Sequence, residues 1–218
     1  MSIKAITNRI ISFTLAEIMM VLVVIGVISS LVIPPTVQYF QEAHLKVQWK
    51  EAYAMLAQVT DSIIAEGQSF PLGTLQNVFT NSTVMRDKYL QYLKHIKSCP
   101  TPSTGNCWHN AGVAKFSNGS TASSCSEQPG AILNNGAFLL FAFYSSNCTF
   151  MQGSVPVCGW IVVDVNGSKG PNVVNKDLYA VWVTSNGIKP FGTQGDGRKA
   201  TCTPSSGDWG CSAMYLHN

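Results

Sequence analysis

Apolar residues are distributed unevenly along this chain, and the densest run lies close to its start. Residues 13–33 form a stretch of 21 residues with a single charge, Glu17. A helix of that length covers about 30 Å, the thickness of the hydrocarbon core of a membrane. Lys4 and Arg9 precede the stretch without any acid, so the positive-inside tendency predicts that residues 1–12 stay in the cytoplasm. The pattern therefore predicts a single membrane-spanning helix, with the part of the chain that follows it outside the cytoplasm.

Beyond the proline pair at positions 34 and 35 the chain turns polar but stays periodic. Apolar residues recur at alternating intervals of four and three at Leu45, Trp49, Ala52, Leu56, Val59 and Ile63. This spacing predicts an apolar stripe on one face of a helix, and Gly67 with Pro71 beyond it indicates where the helix ends. We expect one long helix over about residues 13–66, kinked or locally loosened at the prolines.

The remainder of the chain predicts a mixed domain that ends in β-structure. The segment VMRDKYLQYLKHIKSC (84–99) suggests a short helix with Tyr89, Leu93 and Ile96 on one side, and residues 100–129 suggest a surface insertion. After residue 130, Asn134-Asn135-Gly136 and Asn186-Gly187 predict hairpin turns between apolar runs, with GWIVVDVNG as a further strand. About five short, mainly antiparallel strands beside a long helix define an α+β fold.

Composition and cysteine spacing indicate an oxidising compartment for this later part of the chain. Charged residues make up 11% of the chain, well below the roughly 25% of an average soluble domain. The seven cysteines include no Cys-x-x-Cys and no histidine at zinc-ligand spacing, so disulfides are favoured over a metal site. Many pairings are open and one cysteine, such as Cys125, is left over. The short-range pairs are Cys99–Cys107, Cys148–Cys158 and Cys202–Cys211.

The charge balance argues against nucleic-acid binding, and the sequence has no grouping of catalytic residues. The net charge of +3 falls to +1 without Lys4 and Arg9, so nucleic-acid binding is not indicated. Cys107 lies close to His109 in the sequence, as a nucleophile and its base would. No motif for an oxyanion hole or for the third residue of a catalytic triad accompanies them, so a structural cysteine is favoured. No carboxylate pair, triad or metal cluster supports a surface enzyme. We therefore expect a protein that is not an enzyme.

The apolar stretch differs both from a cleaved signal peptide, by its length and its end, and from a plain membrane anchor, by its acid Glu17. A cleaved signal peptide has an apolar region of roughly 7–15 residues followed by a small-residue cleavage site, whereas this run is longer and ends in Ile-Pro-Pro. A signal anchor matches the length but leaves the acid unexplained. A carboxylate towards the membrane interior costs on the order of 2.5–3.5 kcal/mol, so we expect an interaction that offsets this cost.

The stretch S-FTLAEIMMVLVVIGVISSLVIPP resembles the processing segment of type IV pilins and of type II secretion pseudopilins. In that family a short basic leader is cut before a Phe, the new amino terminus is N-methylated, and a Glu is the fifth mature residue. Phe13 and Glu17 stand in this register, and Pro34 stands near the family's twenty-second mature position. The chain departs from the family at Ser12, where the family usually has Gly before the cut. The disulfide-closed tail around Cys202 and Cys211 is also similar to that of many pilins.

The resemblance implies a structural subunit that polymerises. Residues 1–12 would be a cytoplasmic leader, 13–34 a transmembrane and filament-core helix, 35–67 its amphipathic half, and 68–218 a disulfide-containing pilin-like head. Glu17 would pair with the Phe13 amine of a neighbouring subunit. The implied partners are further copies or related pilins in a filament, a prepilin peptidase, and a membrane assembly platform with its motor ATPase. Membrane lipid would surround the helix before assembly, and the head would lie outside the cytoplasmic membrane and then at the cell surface.

A calcium site is a further expectation, on the loop DVNGSKGPNVVNKD (164–177). It offers oxygen ligands at Asp164, Asn166, Ser168 and Asp177, with Asn172 and free loop carbonyls beside them, and calcium prefers six to eight oxygens. Some related major pseudopilins bind calcium at a similar place, although these residues do not reproduce that loop one for one. The alternative is a turn held by hydrogen bonds between side chains and backbone, and a cofactor is not required.

The sequence leaves two questions open: which kind of filament subunit this is, and whether the chain polymerises at all. A surface pilus and a secretion pseudopilus share the processing segment, and so do major and minor subunits. The other alternative is a membrane-anchored cell-surface binding protein that does not polymerise. Glu17 argues against that second alternative, because a simple anchor gains nothing from an acid in its apolar run.

Overall fold

The computed structural model describes residues 14–67, 70–122, 127–203 and 207–217. Ser12, Phe13 and Cys125 lie outside these ranges. The chain divides into two compact units, residues 1–42 and 43–218, and each is considered by itself.

One long helix, α1 (Leu15–Ala65), begins in the first unit and continues into the second. It continues through Pro34 and Pro35 without ending there. Large apolar side chains from Leu15 to Ile33 are exposed, and this part of the helix is long and apolar enough to cross a membrane. A signal sequence near the amino terminus meets the same test of length and composition. The sequence prediction of an apolar helix that could span a membrane is therefore confirmed at that level.

The second part of α1 packs against the head. All six residues of the predicted stripe are buried, and they belong to one hydrophobic cluster with residues of the sheet. The ring of Trp49 stacks on that of Tyr179 with centroids 4.7 Å apart, and its Nε1 donates to the Ser212 carbonyl at 3.0 Å. The period of the stripe thus predicted the buried face of the helix correctly.

The predicted helix over residues 84–99 is only partly correct. Helix α2 (Ser82–Leu90) is capped by Asn81, whose side-chain oxygen accepts from the Val84 N–H at 2.9 Å. The following residues form strand β1 (His95–Cys99), and Ile96, which was expected beside Tyr89 on one helix face, is 69% exposed. The apolar spacing was misleading because it crosses the junction between a helix and a strand.

The head contains a six-stranded antiparallel sheet in the order β1-β2-β3-β6-β7-β8. Besides β1, its strands are β2 (Gly130–Leu133), β3 (Phe138–Phe143), β6 (Gly159–Asp164), β7 (Leu178–Thr184) and β8 (Gly187–Pro190). A separate hairpin pairs β4 (Phe150–Gln152) with β5 (Val155–Val157). Two further short elements are a 3-10 helix (Gly197–Thr201) and α3 (Met214–His217). The α+β class is confirmed, with more strands than the five expected.

The two predicted hairpins and the predicted strand between them are present. Asn134-Asn135-Gly136 lies between β2 and β3, and Gly136 has a φ of 88°, which glycine adopts without steric cost. Ser185 and Asn186 lie between β7 and β8. The central strands β6 and β7 are buried at every position, as expected for strands covered on both faces.

The sheet separates two hydrophobic clusters. Helices α1 and α2 contribute to the cluster on one face, which includes Trp49 and Tyr89. The opposite cluster contains Trp108, Trp160, Trp182 and Trp209. Trp108 comes from residues 100–129, which were expected to be a surface insertion. That expectation was incomplete, because Trp108, Ala114 and Ala122 are buried in this second cluster.

Candidate functional site

Glu17 lies in the first turn of α1 and forms a capping box with Thr14. Its Oε2 accepts from both the backbone N–H and the hydroxyl of Thr14, each at 2.9 Å, while the Glu17 N–H donates to the Thr14 Oγ1 at 3.2 Å. Thr-x-x-Glu is the spacing at which a helix start satisfies two backbone donors reciprocally. The sequence carries this signal at residues 14–17, as Thr-Leu-Ala-Glu.

This contact gives Glu17 a role inside its own chain. In a membrane the first backbone N–H groups of a helix have no water to bond, so a capping carboxylate satisfies donors that would otherwise be costly. The same carboxylate is exposed and faces no other described residue with opposite charge. Capping and pairing with a neighbouring amine are therefore compatible, because a carboxylate accepts several hydrogen bonds through its two oxygens.

The second candidate site is the loop between β6 and β7, where two carboxyl groups are fully buried. Asp164 Oδ1 accepts from the backbone N–H groups of Asn166 and Gly167, at 3.1 and 2.8 Å. Asp177 accepts from the N–H groups of Asn172 and Val173, each at 2.7 Å. These bonds fix both ends of the loop, which matches the alternative of a turn held by side-chain-to-backbone bonds.

His109 contacts this loop from a distant part of the sequence. Its Nε2 lies 2.5 Å from Asp164 Oδ2, and both side chains are buried. The contact joins the insertion to the end of strand β6. Burial raises the pKa of the Asp164 carboxyl. Burial also raises the pKa of Asp177 to about 6, and the negative charge of Asp164 contributes to this shift.

Two buried amide oxygens on this loop bear on the calcium expectation. Asn166 Oδ1 and Asn172 Oδ1 have no hydrogen-bond partner among the residues that the structure describes. Buried oxygens of this kind are rare and call for an explanation such as a water or an ion. Together with Asp164 and Asp177 they provide oxygen donors of the type that calcium prefers. Ser168, the remaining predicted ligand, is exposed on the same loop.

The donor set is nevertheless small. No group of three or more His, Cys, Asp or Glu side chains is placed to hold a metal ion within the described ranges. The described part of this loop supplies two buried carboxylates and two buried amide oxygens without a hydrogen-bond partner, which is fewer oxygens than the six to eight that calcium prefers.

Six of the seven cysteines are paired in the structure, as Cys99–Cys107, Cys148–Cys158 and Cys202–Cys211. These are the three short-range pairs named from the sequence. Cys107 is thus not a free thiol beside His109, and the three closed loops lie in the insertion, at the β4–β5 hairpin and near the carboxyl end.

Comparisons of this chain with protein-family models, with curated proteins and with solved structures found no match. The class that the geometry defines is thus an α+β head on a long amino-terminal helix with an apolar first part.

Proposed function

We propose that this chain is a structural subunit of a type IV pilus or a type II secretion pseudopilus. It is inserted in the cytoplasmic membrane, cut by a prepilin peptidase between Ser12 and Phe13, methylated at the new amino terminus, and polymerised through its apolar helix. A membrane assembly platform and its motor ATPase drive that step. The activity is mechanical rather than catalytic, since the filament stacks the helices and displays the heads outside the cell.

The observation that carries the proposal is one acid, in the family's register, at the start of the otherwise uncharged apolar stretch 13–33. Apolar side chains from Leu15 to Ile33 remain exposed in the chain by itself, so lipid or other copies of the helix must cover them. Charges isolated in an apolar medium are each costly, and pairing Glu17 with a neighbour's amine offsets both costs.

A second candidate is a membrane-anchored binding protein that does not polymerise. The contact between Glu17 and Thr14 favours it, because capping provides a reason for the acid that needs no neighbouring chain. The two candidates differ in what they require of the carboxylate. Capping needs an acceptor at position 17, whereas assembly needs a negative charge there.

The amino-terminal mass of the protein recovered from its native cells tests the proposal most directly. We expect a chain that begins with N-methylated Phe13, because the leader is removed before assembly. Mass spectrometry of the intact protein and of its first proteolytic peptide measures this. A chain that begins at Met1 or Ser2 in assembled material would contradict the proposal and favour the anchored binding protein.

As part of the proposal, the loop 164–177 binds calcium through Asp164, Asp177, Asn166 and Asn172. A bound calcium ion would supply positive charge to the buried carboxylates and to the two unpaired amide oxygens. The ion would stabilise the loop that connects β6 and β7, and no catalytic role is assigned to it.

Calcium is expected to raise the melting temperature of the full chain. A ligand at about 100 times its dissociation constant stabilises the folded state by about 2.7 kcal/mol, which corresponds to roughly 5–10 °C for a chain of this size. Differential scanning calorimetry in calcium and in EGTA measures the shift. Asp177→Asn should abolish the response, while Asp61→Asn at an exposed position of α1 should preserve it. Equal melting temperatures with calcium and with EGTA would show that hydrogen bonds alone hold the loop.

A further inference from the structure

Three loops of the head meet at one end of the sheet. The loop after α1 contacts the turn between β7 and β8 through the Leu75 N–H and the Ser185 carbonyl, 2.7 Å apart. The same loop contacts the segment after β3 through the Asn77 N–H and the Ser146 carbonyl, 2.6 Å apart. Residues 70–77, 144–151 and 184–187 therefore form one continuous region, which we call the distal loop surface.

The distal loop surface is built from uncharged segments. Residues 70–77, 144–151 and 184–187 contain no Asp, Glu, Lys, Arg or His, in a chain that has 14 basic and 11 acidic residues in total. The segments instead contain Ser, Thr, Asn and Gln between apolar residues. This is an unusual composition for exposed loops, which normally carry much of a protein's charge.

Large apolar side chains are exposed on these loops. Phe70 and Leu72 are 80% and 77% exposed, and Tyr144, Phe150 and Met151 are also exposed to solvent. The rings of Tyr144 and Phe150 lie against each other, with centroids 4.5 Å apart. Clustered exposed apolar groups mark interaction sites more often than ordinary surface, and here they lie on loops that are bonded to each other.

Local bonds hold the distal loop surface in place before any partner binds. The Thr74 hydroxyl donates to the Pro71 carbonyl at 2.7 Å, and Asn77 Nδ2 donates to the Phe70 carbonyl at 3.0 Å. Near Phe150, the hydroxyls of Ser145 and Thr149 both donate to Asn147 Oδ1, and the Cys148–Cys158 disulfide closes the loop. A surface ordered in this way loses little conformational entropy on contact.

We infer that the distal loop surface is a contact between heads of two copies of this chain. The inference rests on the proposed function, which brings identical heads together. The cores of protein interfaces are depleted of charge and enriched in Phe, Tyr and Met, which is the composition seen here. An uncharged surface also meets another copy without like-charge repulsion and without desolvating ions. An anionic membrane would instead be met by lysines and arginines, which these segments lack.

Site-specific photo-cross-linking in the full chain tests this contact. Benzoylphenylalanine is placed at Phe150 or at Phe70, and, as the matched control, at Ile96, which is 69% exposed on β1 beside Lys97. After irradiation of producing cells, we expect adducts of two copies from positions 150 and 70, at least about fivefold more abundant than from position 96. Mass spectrometry identifies the second chain in each adduct.

Adducts no more abundant than those of the control, or adducts with a different polypeptide, would overturn the inference. Failure of the contact is distinguishable from failure of the filament proposal, because the amino-terminal mass is measured on the same material. A methylated Phe13 start without adducts between two heads would contradict the inferred contact and leave the filament proposal standing. An uncleaved chain that still yields adducts of two copies would contradict the filament proposal and support the contact between heads.

Discussion

Replacing Glu17 by Gln should abolish filaments as completely as replacing it by Ala, although Gln preserves the helix cap. The capping box works with Glu or Gln at its third helical position, so Glu17→Gln retains an acceptor for the Thr14 N–H. It removes the negative charge with which, under the proposed function, the amine of a neighbouring subunit pairs. The pair of variants therefore separates the observed cap from the proposed pairing between subunits.

The expected size of this effect is large because a buried charge would be left without its partner. Removing one member of a buried ion pair typically costs about 3–5 kcal/mol, which corresponds to more than about a hundredfold in an association constant. Sheared filaments, separated by centrifugation and quantified by immunoblot, measure the loss. The membrane fraction and the amino-terminal mass of each variant serve as controls for insertion and cleavage.

Thr14→Val provides the matched control for the cap. It removes the hydroxyl that contacts Glu17 and keeps the charge. A helix cap is worth about 1 kcal/mol, so filaments should decrease by only about fivefold. If Glu17→Gln instead gave filaments at the normal level while Glu17→Ala did not, capping would be the function of this residue and the anchored binding protein would be favoured.

The parts of the fold that follow from short-range periodicity were predictable from the sequence. The stripe from Leu45 to Ile63 repeats with the helical period, and the turns at Gly136 and Gly187 contain residues that such turns require. Each of these signals is contained in a few consecutive residues. The helix, the two hairpins and the α+β class therefore followed directly.

The features that the sequence did not predict depend on contacts between distant segments. The contact of His109 with Asp164 joins residues 55 positions apart, and nothing near either residue indicates the other. Strand β1 was assigned to a helix because Leu93 and Ile96 continue the spacing of α2 by coincidence. The Thr14–Glu17 cap is a different case, since its Thr-x-x-Glu spacing is contained in four consecutive residues of the sequence.

Trp49→Ala should be the most damaging single substitution in the contact between α1 and the head. The Trp49 side chain is fully buried, stacks on Tyr179 of β7 and donates to the Ser212 carbonyl near the carboxyl end. Its removal deletes the contacts of α1 with strand β7 and with the segment just before α3 together. Large-to-small changes of a buried Trp cost about 3–5 kcal/mol, which predicts a melting temperature lower by roughly 6–20 °C.

Val47→Ala, two residues earlier on the same helix, is the matched control. Val47 is 52% exposed, so its substitution should change the free energy of unfolding by no more than about 0.5 kcal/mol. Trp49→Phe should give an intermediate loss, because it preserves a stacked ring and removes the Nε1 donor. Scanning calorimetry of the three full-length variants measures the differences. Equal melting temperatures for Trp49→Ala and Val47→Ala would mean that α1 does not pack on the head through this face, because a buried anchor cannot be removed without leaving a cavity and an unpaired Ser212 carbonyl.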